Sequence, residues 1–244
     1  MKYNPNSKFV GGFTNNDGTI DFYLRVKALA NENSVVLDLG AGRAAWNEDT
    51  QCETRRKIRT LKGYVKEVIA ADFDEAVLLN RASDRQIVMD NNGIDLPKNS
   101  VDLVVADYVL EHIDDAAKFV NQIDYLLKPG GWFCARTPHK WSYVALAARL
   151  LPNSVHARIL KYVQPDRLVK DIFPTTYQLN THRDVKRLFP KWSDKTFTYK
   201  GDPAYFFGVK LLYVAFRGLH SLLLPQFTGV LFVFVKKPNE PTEV

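Results

Sequence analysis

The sequence predicts a doubly wound α/β fold: a mostly parallel, seven-stranded sheet with an antiparallel last strand and a helical cap insertion. Three observations carry this reading. Short apolar runs rich in β-branched residues alternate with segments of helical periodicity, the pattern of strands buried under helices on both faces. The first run, "SVVLDL", stops at the two glycines of "GAG". The last two runs, "KTFTYKG" and "GVLFVFVKK", are not joined by an ordinary strand-helix-strand crossover, which points to an antiparallel edge.

Taken in order, residues 1–33 read as an N-terminal segment folding over the site as a lid, with Gly11, Gly12 and Gly18 allowing closure. Residues 34–137 form the ligand-binding core. Its strands are "SVVLDL", "EVIAADF", "QIVM", "VDLVVAD" and "WFCART". Before the last of these, Ala116, Phe119, Val120, Ile123, Leu126 and Leu127 repeat at helical spacing until Lys128, Pro129 and Gly130 stop the helix. Residues 138–180 are the cap, amphipathic at first and then loop-like. Residues 181–236 hold a helix opened by Thr181, the two late strands and an inserted apolar helix at 203–225, and 237–244 is a tail. The whole is read as a single domain.

With 244 residues and 46% apolar content, one large α/β core is within reach. The two cysteines, Cys52 and Cys134, lie far apart without metal-ligand spacing, so neither a disulfide framework nor a metal site is expected. The first residues lack the apolar core of a signal peptide, and no run approaches the roughly 18 apolar residues of a membrane span. A soluble, cytoplasmic protein is the expectation. A net charge of +6 suits nucleic acid, an anionic membrane or an acidic substrate, but spread along the chain it reads first as a solvated surface.

Glycines that end a strand and open a helix let backbone approach a ligand where a Cβ would collide, and the helix start offers free N–H donors. A nucleotide-like ligand follows from Gly40 and Gly42, from Asp38 inside the strand, and from Asp72 at the end of the next strand, where it can accept from both ribose hydroxyls. Gly40, Gly42 and Ala45 also satisfy the dinucleotide pattern G-x-G-x-x-G/A. Asp72, however, lies further along than the roughly 20 residues that pattern expects, and the intervening segment is polar.

Four stretches in sequence, "VVLDLGAGRA", "VIAADFDEAVL", "IDLPKNSVDLVVADYVLEHI" and "LLKPGGWFCARTP", resemble the class I S-adenosylmethionine-dependent methyltransferases, particularly the type 11-like branch acting on small molecules and glycans. The resemblance implies a Rossmann-like methyltransferase fold and S-adenosylmethionine as cofactor. It implies that Gly40, Ala41 and Gly42 pass under the methionine part and that Asp38 holds the turn or the cofactor ammonium. Asp72 then binds the ribose, Phe73 lies against the adenine, and Asp90 with Asn91 meets the adenine edge. Ala44 stands where the family often has a third glycine, a departure expected to matter little. Asp74 reads as a helix N-cap rather than a ligand.

Methyl transfer is an in-line displacement, so alignment comes first and proton removal second. His112 in "ADYVLEHI" is the leading base candidate and Asp107 its rival, the latter also facing the cofactor; Glu111 and His112 alternatively serve as packing or cofactor-side residues. His139, Trp141 and Tyr143 fall on the expected acceptor side. The expected acceptor is a hydroxyl of a small metabolite, sugar or glycan, with nitrogen or carbon acceptors as alternatives. DNA is not expected. The stretch "TRRKIRTLKGYVK" is the one encouragement for RNA, and the helix at 203–225 leaves open peripheral membrane contact or a homodimer. An oxidoreductase and a non-catalytic cofactor-binding module rank below these.

Overall fold

Parallel strands come first in the chain and set the frame. In the computed structural model, which describes residues 2–48, 52–90, 93–150 and 175–239, they are β1 (Val35–Leu39), β2 (Glu67–Asp72), β3 (Arg85–Val88), β4 (Val101–Asp107) and β5 (Leu127–Pro138). Two short strands, β6 (Ser193–Asp194) and β7 (Phe197–Tyr199), precede the long β8 (Val230–Lys236). The sheet order is β3-β2-β1-β4-β5-β8-β6, with β7 also on β8. β8 runs antiparallel to β5, β6 and β7, as the missing crossover predicts. Among the described residues eight strands stand where seven were expected, because the edge breaks at Asp194, whose carboxylate accepts from the Thr196 N–H at 2.8 Å and turns the chain.

Strand parity divides the core. Leu37, Ile69, Val104 and Phe133 face α3 (Ala116–Leu126) and α5 (His182–Leu188), while Val36, Val68, Leu103 and Val105 face α1 (Gly18–Leu29). α3 buries the apolar stripe read from its sequence, and Asp115 caps it by accepting from the Lys118 N–H. The chain becomes strand at Leu127, one residue earlier than the helical spacing suggests. Gly131 then passes so close to the Asp102 carbonyl that an added Cβ would stand 2.8 Å from that oxygen. Thr181 caps α5 by accepting from the Asp184 N–H, as read from the sequence.

The lid reading needs correction where α1 begins. Phe22, Tyr23 and Val26 are buried against the sheet, and Asp17 caps α1 while pairing with Arg55, so residues 17–29 are a fixed layer of the core. Each such fully buried aromatic or aliphatic side chain contributes about 2 kcal/mol. The polar segment after the glycines forms a short α2 (Glu53–Arg59). Of the cap, α4 (Tyr143–Leu150) is described, whereas 151–174 lies outside the described residues. The apolar stretch at 203–225 forms α6 (Lys210–Leu222), followed by the single turn α7 (Pro225–Thr228). No helix among the described residues is long and apolar enough to cross a membrane.

Candidate functional site

The carboxyl ends of β1, β2 and β4 open on a cavity of about 710 Å³, the expected ligand position for a doubly wound sheet. Gly40, Ala41, Gly42, Asp72, Phe73, Asp90 and His112 all line it. Asn91 lies outside the described residues.

The two glycines do different things. Both are left-handed, at φ +69° and +49°. A Cβ on Gly40 would stand 2.4 Å from Val109 Cγ2, so bare backbone there lets the loop pack against the β4 end. At Gly42 the nearest atom to an added Cβ is Asp72 Oδ2, at 4.0 Å, and the space belongs to the cavity. Ala44 is also left-handed, at φ +54°, and buried. A residue with a Cβ is therefore held where the resembling family often has glycine, so the departure carries backbone strain.

Asp72 is fixed from two sides: Oδ2 accepts from the Gly42 N–H at 2.8 Å and Oδ1 from the Asp74 N–H at 3.0 Å. A carboxylate offers about four lone-pair sites, so each oxygen keeps one for a ligand. That suits a pair of vicinal hydroxyls. Phe73 is 62% exposed on the cavity rim, where a flat ring system can lie against it. Asp74 caps the 3₁₀ turn Glu75–Leu79 by accepting from the Ala76 N–H. These groups fit an adenosyl ligand.

Asp38 does not line the cavity. By strand parity it projects to the α1 side with Asp107 and Asp72, and burial followed by the charges of those two carboxylates raises its carboxyl to about 7 against the pull of Arg59. Asp107 corrects the sequence reading. It too is absent from the cavity lining: Arg136, its register partner on β5, grips both of its oxygens, Tyr23 donates at 3.1 Å, and the Arg59 guanidinium stands 3.1 Å away. Burial pushes its acidity down, but the two guanidinium groups and the hydrogen bonds outweigh burial and hold the carboxyl below the usual range. A carboxylate so engaged is a poor proton acceptor.

His112 closes the 3₁₀ turn Leu110–His112 beyond β4 and faces the cavity beside Tyr108. Its neighbour Glu111 is buried instead, accepting from Thr137 Oγ1 at 2.8 Å, while Asn180 donates to the same hydroxyl and Thr176 N–H to the Glu111 carbonyl. This network holds the turn that presents His112. His139 and Trp141 line a separate surface groove rather than this cavity, and Tyr143 hydrogen-bonds Ala204. Sequence reasoning missed Tyr108, a half-exposed cavity residue at φ +59°; Tyr177 and Tyr205 are left-handed too, at φ +53° and +59°. Bulky residues in that region mark strain that clusters at ligand sites. Within the basic stretch after the glycines, Arg55 pairs with Asp17, Lys57 with Glu53, Arg59 with Asp107, and Lys62 donates to the Ser83 carbonyl, while Lys57, Lys62 and Lys66 stay exposed. Among the described residues, no cluster of His, Cys, Asp or Glu could hold a metal ion.

Residues 49–135 match the methyltransferase domain family. A Mycolicibacterium smegmatis protein named probable S-adenosylmethionine-dependent methyltransferase is 35% identical over 82 residues, 32% of this chain and 32% of its own length. The ubiquinone biosynthesis O-methyltransferase of Bradyrhizobium sp. is 35% identical over 82 residues, 30% of this chain and 32% of that protein. The chain thus spans about a third of the length of these curated relatives. Among solved structures, the methyltransferase in complex with the Haloferax volcanii Trm112 activator superposes with a TM-score of 0.58 at 16% identity, covering 93% of this chain and 92% of the other. Geranyl diphosphate C-methyltransferase from Streptomyces coelicolor, in complex with S-adenosyl-L-homocysteine, gives 0.56 at 12% identity over 89% and 74%. These two share the fold.

Proposed function

We propose that the chain, whose residues 49–135 match the methyltransferase domain family, is a class I S-adenosylmethionine-dependent methyltransferase that transfers a methyl group to a hydroxyl of a small metabolite, sugar or glycan. One observation carries the reading: the Gly40–Gly42 loop, Asp72 and His112 converge on one cavity at the carboxyl edge of the sheet. When bound, S-adenosylmethionine supplies an electrophilic methyl on a sulfonium. The chain's part is alignment. Asp72 anchors the vicinal diol through its two remaining lone-pair positions, Gly42 leaves room beside it, and Phe73 covers a planar ring. In this reading His112, on the turn that the Glu111 network supports, takes the hydroxyl proton as the new bond forms. The O-methyltransferase relative supports oxygen as acceptor.

The test is transfer of isotopically labelled methyl from S-adenosylmethionine into panels of sugars, phenols and quinols, with the labelled carbon located by NMR. Label in a methoxy group, with turnover reduced about 100-fold or more by His112→Ala while S-adenosylhomocysteine binding is kept, is the expected result. Label on nitrogen or carbon, or full turnover in His112→Ala, refutes it.

A further inference from the structure

We infer that this protein docks on anionic phospholipid bilayers through the outward face of α6 and the turn that follows it. The inference is independent of the acceptor. With about 3.6 residues per turn, Tyr213 and His220 mark the buried side of α6, and Leu211, Ala215, Gly218 and Leu222 lie opposite them. That pole should be the most polar part of a surface helix. Here Leu211 is 77% and Leu222 85% exposed, and Val214, Leu219, Leu224 and Phe227 extend the exposed apolar ridge.

Charge selects the occupant. From Pro203 through Asn239 the chain has no acidic residue, while Lys210 and Arg217 stand exposed along one flank of the ridge. Where the ridge ends, Pro225 and Gln226 border the groove lined by Lys140, Trp141, His182, Arg183 and Arg187, whose one acid, Asp184, is engaged by the Thr181 hydroxyl and Arg187. An aliphatic pole flanked by cations is the pattern of a helix lying in the plane of an anionic interface. A second copy of the chain fits less well. A two-fold interface sets the same patch against itself, and α6 has no acid to pair with Lys210 and Arg217 of the other copy.

The experiment is co-sedimentation of the full chain with phosphatidylcholine vesicles, and with the same vesicles carrying phosphatidylglycerol, at low and high salt. Binding to the anionic vesicles is expected. It should fall with salt, survive an excess of soluble glycerol phosphate, and drop about tenfold or more in Leu211→Ser/Leu222→Ser and in Lys210→Ala/Arg217→Ala. Unchanged thermal melting and S-adenosylhomocysteine binding establish that these variants fold. Three results would overturn the inference: no preference for anionic vesicles, equal binding by the folded variants, or a vesicle-free dimer in light scattering that the leucine variant converts to monomer.

Discussion

Asp38 is a buried carboxyl in the core beside the site. Its carboxyl is raised to about 7 by burial and by the neighbouring carboxylates of Asp107 and Asp72. The folded state thus binds a proton that the unfolded chain releases near pH 4. Its stability contribution is full below about pH 4 and is lost as pH rises through about 7. Denaturant midpoints should therefore show Asp38→Asn more stable relative to wild type at about pH 8 than at about pH 5; an equal difference at both would show that Asp38 ionises normally. The acid was legible in the sequence, because an aspartate inside an apolar strand has few uses. Its company was not, since that depends on strand register. The left-handed backbone of Tyr108, Tyr177 and Tyr205 was illegible for a similar reason: sequence signals positive φ through glycine or asparagine, and here tertiary packing imposes it on tyrosine.

Among elements, β4 and β5 are tied at their carboxyl ends by more than ladder hydrogen bonds. Asp107 and Arg136 face each other in register, both side chains are 5% exposed, and Arg136 also stacks against Phe22, Tyr23 and Tyr108. Removing one member of a buried pair leaves the other charge uncompensated, so Arg136→Met should cost about 3 kcal/mol in chemical denaturation. A loss within about 0.5 kcal/mol would mean that Arg59 alone satisfies Asp107. The strands themselves were legible from β-branched runs and glycine stops, as was α3 from its apolar spacing. Asp107 was misread as a base because its strand-end position is shared by catalytic and structural carboxylates; its partners come from α1, α2 and β5, far away in sequence. The same distance hid the fixed role of α1, whose low amphipathic contrast did not announce a buried helix.

For the molecule as a whole, the parallel strands bring their carboxyl ends to one edge and so place the Gly40–Gly42 loop, Asp72 and His112 around one cavity. The residues that line this cavity were legible because they follow strands directly. Those expected on the acceptor side were not brought to it: His139 and Trp141 turn to another groove, and residues 151–174 of the cap lie outside the described structure. The central claim is that the cavity holds an adenosyl ligand anchored by Asp72, and calorimetric titration of S-adenosylhomocysteine into wild type and Asp72→Ala tests it directly, with NADH in parallel. One-site binding by wild type, weakened about 100-fold or more in the variant (about 3 kcal/mol), and no binding of NADH, is the predicted result. No heat with S-adenosylhomocysteine, or equal affinity in a folded Asp72→Ala protein, would contradict the account.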